Sequence, residues 1–202
     1  MELVVVICVL ALVAALLLPA LAAAKRKASR INCVNNLKQI TLGFKMWAGD
    51  NDDKYPMQTC VTNDSMMKLF SSGNAYVLWR IMSNELASAK VLICSEDKDH
   101  TGTFSFADGF SDANISYFFS LDADKSHPQM ILSGDSNLAV NGVNVRPGIL
   151  NLWTNASIGW NADRIGRIHP AGNVALTDSS AVQVPAGVNL ATVGMTNRLV
   201  IP

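Results

Sequence analysis

The dominant pattern in the chain is an unbroken apolar run over residues 3–24, LVVVICVLALVAALLLPALAAA, opened by Glu2 and closed by Lys25, Arg26, Lys27 and Arg30. As a helix rising about 1.5 Å per residue, it is long enough to cross a hydrocarbon core of about 30 Å. After the basic cluster the pattern turns amphipathic. Ile31, Val34, Leu37, Thr41, Phe44 and Ala48 recur at helical spacing, Ile40 and Trp47 widen the stripe, and Asn32, Asn35, Lys38 and Lys45 lie opposite. This predicts that the helix continues to about Ala48, where Gly49, Asp50, Asn51, Asp52 and Asp53 end it ahead of Lys54, Tyr55 and Pro56. A rod of that length would span roughly 70 Å, more than a small domain needs for its own core. Part of it is expected to be covered by lipid or by sister subunits.

Beyond the rod, residues 65–70 and 75–86 read as short helices, the second carrying Val77, Leu78, Trp79, Ile81, Met82 and Leu86. Residues 91–93 read as a short buried strand. Later residues alternate apolar runs with Gly, Asn and Asp turns, which predicts strands over 115–121, 129–132, 148–153, 173–177 and 181–184, with Asp178, Ser179 and Ser180 as a hairpin turn. The expected fold is α+β: a long, kinked N-terminal helix packed on a small head with an antiparallel sheet. It divides into a hydrophobic transmembrane or filament-core helix over 1–24, an amphipathic continuation over 25–50 and a globular head over 51–202.

Two residues are unusual for a plain membrane anchor. Glu2 puts a carboxylate at the edge of the apolar run, where an ionised acid is costly without a partner. Pro19 removes a backbone donor and clashes with the preceding turn, so the helix is expected to kink or loosen there. A plain anchor remains one reading, with Glu2 at the interface and Pro19 incidental. The other depends on a resemblance: MELVVVICVLALVAALLLPALAAAKRKASRINCVNNLKQI resembles the N-terminal segment of the type IV pilin superfamily, which includes the pseudopilins of type II secretion. In that family an acid begins an apolar helix, a proline follows seventeen residues later, and a basic, amphipathic continuation enters the head; Glu2 and Pro19 stand at this spacing. The resemblance implies that Glu2 neutralises the N-terminal amine of a neighbouring subunit during assembly, that Pro19 shapes the assembling helix, and that Leu3, Val6, Leu10 and Leu17 belong to the filament core.

Family precursors carry a short basic leader ending in glycine, cut so that an aromatic residue becomes the mature N-terminus a few residues before the acid. Here Met1 stands next to Glu2, and we expect the start to have been trimmed or misplaced. By charge bias alone, the KRKASR cluster would hold the head in the cytoplasm. A basic leader would supply the counterweight and export the head. The order LICSED, ISYFFSLDAD, ILSGDSNL and HPAGNVALTDSSAVQV is also similar to heads of the pilin-like proteins of planctomycete and verrucomicrobial type. Together the resemblances imply a self-assembling subunit that waits in the inner membrane, then joins a homopolymer at the cell surface or in the periplasm through a pilus or secretion assembly machinery. The alternatives are a type II secretion pseudopilin, a singly anchored binding protein, and a membrane-tethered hydrolase, which would require His169 or the neighbouring carboxylates for turnover.

Composition narrows the choice of partner. The chain has 202 residues, half of them apolar, and a formal net charge of zero, which gives no global attraction to nucleic acid. Of the four cysteines, Cys8 lies in the apolar run and Cys33 on the helix continuation, while Cys60 and Cys94 lie in the head and are the disulfide candidates if it is exported. No pair has metal-ligand spacing, so no metal or cofactor is expected. The acidic turn at Asp50, Asp52 and Asp53 invites calcium but lacks an EF-hand's ligand period and glycine. His169, Asp178 and Ser179 or Ser180 assemble into a triad only on paper, since no G-x-S-x-G elbow surrounds either serine and all lie in one presumed hairpin. His100 and His127 read as solvent-facing, and Glu96, Asp97 and Asp99 beside Lys98 as a charged surface loop. No Walker or dinucleotide motif occurs, and no enzymatic activity is expected.

Overall fold

The computed structural model describes residues 2–60, 64–152, 157–161, 171–185, 187–190, 193 and 198–202. Helix α1, Glu2–Asp50, is 49 residues long and passes through Pro19 without interruption. The missing proline donor therefore does not end the helix. Helices α2 (Pro56–Cys60), α3 (Asp64–Ser71) and α4 (Tyr76–Ile81) follow. The strands are β1 (Tyr117–Ser120), β2 (Ile131–Asp135), β3 (Leu138–Val140), β4 (Val143–Asn144), β5 (Gly148–Asn151), β6 (Ile158–Trp160), β7 (Gly172–Leu176), β8 (Ala181–Val184) and β9 (Arg198–Ile201). A six-stranded sheet runs β5-β9-β1-β2-β7-β8 and a three-stranded sheet runs β4-β3-β6. Every pairing described is antiparallel.

The large sheet lies between two cores. In β1, Tyr117 and Phe119 point to the helical side while Phe118 points away; in β7, Ala175 and Val174 divide the same way, as do Val200 and Leu199 in β9. Alternate residues thus enter different cores, and the strands read as nearly continuous apolar runs because both faces are covered. On the helical side, Phe44 of α1 meets Tyr55 and Trp79 edge-to-face at 5.8 and 5.7 Å between ring centres, and Trp79 meets Phe119 of β1 at 5.8 Å. On the other side the small sheet closes over Phe118, Val174 and Leu199, with Trp160 lying so close to Gly172 that a Cβ there would fall 2.2 Å from the indole. Only glycine fits that approach.

The buried seam of α1 keeps most of the predicted stripe: Leu37, Ile40, Thr41, Phe44 and Ala48 are buried and Val34 and Trp47 half-buried, while Ile31 is exposed and Ser29 and Cys33 continue the seam toward the N-terminus. Cys33 replaces Ile31 because it is bonded to Cys94, with Cα atoms 5.3 Å apart. This corrects the expected Cys60–Cys94 pairing: Cys94 is engaged by a cysteine that the helix itself delivers to the head. The side chain of Cys60 lies outside the described residues. Asn36, one turn further along α1, donates to the carbonyl of Ile93 at 2.9 Å and so ties the same loop to the helix.

The strand expected over 91–93 is instead a 3-10 turn, Ala89–Leu92, started by Ser88, whose hydroxyl accepts from the Lys90 amide at 3.2 Å. The hairpin of β7 and β8 forms as expected, with Asp178 accepting from the Ser180 amide at 2.7 Å and Ser179 in the left-handed region. Strands β3, β4, β6 and β9 were not predicted.

The disulfide makes a direct prediction. Cys94→Ser in the full chain should lower the unfolding free energy in detergent by about 2–4 kcal/mol, with reductant producing the same drop in the parent and none in the variant. An unchanged melting midpoint in both would contradict the role given to this link.

Candidate assembly surface and buried polar cluster

Helix α1 has two environments along one continuous backbone. In its second half the seam through Phe44 is fully buried; in its first half, Leu3, Val6, Leu10 and Leu17 are exposed and the most apolar window, of mean hydropathy 3.1, is 0% buried. By length and composition this half is a candidate membrane span, and an N-terminal signal would pass the same test. Glu2 is exposed at its tip, and Pro19 lies within it. No head residue covers either one among the described residues. The side chains named as assembly residues thus share one uncovered helical surface.

Next along α1 comes a collar of cations. Lys25, Arg26 and Lys27 are exposed, and Arg30 reaches the edge strand β8, where its Nε and Nη1 donate to the side-chain oxygen of Gln183 at 2.9 Å when that amide is turned to accept. At the far end, Asn51 donates to the Trp47 carbonyl at 2.9 Å, Asp52 and Asp53 take left-handed backbone angles, and Asp53 pairs with Lys125. The acidic turn is therefore a helix stop with one ion pair to the head.

The head also buries charged groups. Asp97, expected on a charged surface loop, has its side chain buried: it accepts from the Ser116 hydroxyl at 2.7 Å, contacts His100 Nδ1 at 2.7 Å and accepts from the Asp99 amide at 3.0 Å. Ser116 in turn accepts from the Cys94 amide at 3.0 Å, so this carboxylate fastens the disulfide loop to the sheet. His100 is held against Asp97 rather than turned out to solvent. Serine and histidine address the same carboxylate oxygen of Asp97. His169 lies outside the described residues, and Asp178 caps its turn.

Asp135 on β2 is fully buried and accepts from the backbone and side-chain nitrogens of Asn173 at 2.7 and 2.9 Å, while its other oxygen has no hydrogen-bond partner among the described residues. Burial pushes its carboxyl up to about 7, opposed by the Asn173 hydrogen bonds and by Arg30, and reinforced by the charge of Asp97. Burial also raises Asp112, which accepts from the Tyr76 amide at 2.7 Å, to about 6. Among the described residues, no group of three or more His, Cys, Asp or Glu side chains converges as metal ligands would.

The Asp135 network was not read from the sequence, because ILSGDSNL and GNVALTD place its members 38 positions apart. The signal for Cys33 was available: it lies one helical turn before Leu37 on the core-facing side.

In comparisons with protein families, with curated proteins and with solved structures, the chain matches none. A long apolar N-terminal helix packed on an antiparallel sheet is a pilin-like architecture, and it stands here on geometry alone.

The carboxyl of Asp135 sets a pH test. Its folded value lies above the ordinary 3.8, so the stability of the protonated form is complete in acid and is lost as pH rises through about 7. Asp112 adds a slope of the same sign. Asn at 135 keeps an acceptor for Asn173 and carries no charge. Asp135→Asn should therefore gain stability relative to the parent as pH rises from 4 to 8, on the order of 4 kcal/mol at the upper end. A difference in melting temperature that stays constant across this range would contradict the assignment.

Proposed function

We propose that this chain is a structural subunit of a pilus-like filament, held in a membrane by the first half of α1 before assembly and packed through that same surface afterwards. One observation carries the reading. The first half of α1 is apolar, exposed and continuous with a helix that is locked into the head. An anchor alone needs no rigid junction with its domain. A lever that moves the head and the apolar helix as one body does. The aromatic packing on Phe44, the Cys33–Cys94 bond and the Asn36 contact to Ile93 all serve that junction.

The Cys33–Cys94 disulfide favours an extracytoplasmic head, since such bonds persist in oxidising compartments. Transfer of α1 from lipid to sister helices brings little hydrophobic gain, because lipid tails are already apolar. Specificity then falls to packing and to the few polar groups on the helix, of which Glu2 is the first. A buried carboxylate needs a cation, and the resemblance to pilins supplies one in the neighbour's terminal amine. No catalytic role is proposed. A type II secretion pseudopilus uses the same subunit design and is included in the proposal. A singly anchored binding protein would leave the apolar half of α1 in lipid at all times.

Glu2→Ala should leave membrane insertion unchanged and abolish sedimentable, sheared multimers of the full chain, measured by fractionating membranes and culture medium from the same cells. Multimers at parental yield would remove Glu2 from assembly.

A further inference from the structure

The cations that follow the apolar run are not spread evenly around α1. Arg26, Lys27 and Arg30 line one depression of about 700 Å³ beside Gln183 of the edge strand β8, with Ile31 and Lys38 further along the helix. Lys25 stands outside it. No Asp or Glu side chain lines this depression, and among the described residues none of these cations has a carboxylate within ion-pair distance. Arg30 feels the buried charge of Asp135 without pairing with it. A chain of zero net charge is therefore strongly positive at this one place, and the ligand it suits is an anion.

Arg30 is also aimed. With the Gln183 amide turned to accept, its Nε and Nη1 donate to that oxygen at 2.9 Å. This fixes the plane of the guanidinium and leaves N–H groups on Nη1 and Nη2 for a second acceptor. Arg26 lies one helical turn earlier on the same side. Two arginines so placed can present their N–H groups to the oxygens of one phosphate.

The height of the site selects the source of that phosphate. If residues 3–24 span the bilayer, Arg26, Lys27 and Arg30 leave the helix about 3 to 9 Å beyond Ala24, against a headgroup layer roughly 5–8 Å deep. Side chains on a helix lean toward its N-terminus, which here is toward the bilayer, so all three charged ends reach that layer. Lys38, about 21 Å beyond Ala24, does not.

Resting on the reading of residues 3–24 as the membrane-held half of α1, we infer that Arg26, Lys27, Arg30 and Gln183 bind the headgroup phosphate of one anionic phospholipid, in the leaflet on the head's side. Arg26 and Arg30 donate to the phosphate oxygens, and Lys27 adds its charge. Gln183 is a positioning residue that acts through Arg30. Because Gln183 belongs to β8, the contact turns that edge of the six-stranded sheet toward the bilayer and sets how the head sits on it. A subunit that leaves the bilayer gives this contact up.

The test takes the full chain in neutral detergent micelles, titrated with phosphatidylglycerol or with phosphatidylcholine of matched acyl chains, and counts retained lipid by native mass spectrometry. One phosphatidylglycerol should be held per chain, roughly tenfold more tightly than phosphatidylcholine. Arg30→Gln should lose that preference, Gln183→Leu should weaken it several-fold with no change of charge, and Lys38→Gln should leave it intact. Equal losses in Arg30→Gln and Lys25→Gln, with Gln183→Leu unaffected, would reveal diffuse attraction to a charged helix and overturn the site. Displacement of the lipid by an equal concentration of glycerol phosphate, or a loss in Lys38→Gln as large as in Arg30→Gln, would overturn lipid as the ligand in favour of a soluble anion. Absence of any preference, in a chain that still enters phosphatidylcholine vesicles with and without phosphatidylglycerol, would overturn the site alone. A chain that enters neither kind of vesicle would overturn the membrane reading with it.

Discussion

Helix α1 must satisfy two solvents with one backbone. From Cys33 to Ala48 it presents a seam that the head buries completely, and from Leu3 to Ala24 it presents leucine, valine and alanine on every side with none of the head's described residues covering them. A helix can carry both because its hydrogen bonds are internal and do not depend on what surrounds it. The architecture follows from that division. The head is built on the buried half, and no described residue of the head covers the exposed half.

The head is organised to hold the helix firmly. The six-stranded sheet packs its helical face on α1 through Phe119, Trp79 and Phe44, and its opposite face on the small sheet through Phe118, Val174 and Trp160. The loop that carries Cys94 is fastened from three directions: by the disulfide to α1, by Asn36 to Ile93, and by Ser116 and Asp97 to the start of β1. Buried charge at Asp97 and Asp135 is compensated by hydrogen bonds rather than by close ion pairs, apart from His100. The sheet end nearest α1 therefore gives up stability as Asp135 ionises, a cost consistent with a position where geometry matters more than maximal stability.

Much of this arrangement was legible in the sequence, for reasons that differ by element. Residues 3–24 and the stripe through Leu37, Phe44 and Ala48 announce α1 because long periodic patterns leave few alternatives. Strand β8 and its turn were readable because Asp178, Ser179 and Ser180 have local turn chemistry. The strand expected over 91–93 failed because three apolar residues have no decisive period, and Ser88 decided the matter as a local cap. Strands β3, β4 and β6 escaped because their partners are each other, in short segments with mixed burial. The Cys94 partner and the buried state of Asp97 depend on contacts across 61 and 19 positions, which no local pattern encodes. Of the exposed half of α1, Glu2 and the apolar run were visible at once.

The central claim is that the exposed half of α1 serves assembly and not anchorage alone. Electron microscopy of material sheared from the cell surface and released from the periplasm, with the chain identified in the same fraction by mass spectrometry, tests it most directly. The account predicts thin filaments composed of this chain. Recovery of the chain solely as a membrane-bound monomer, in cells where its synthesis and export are verified, would contradict it.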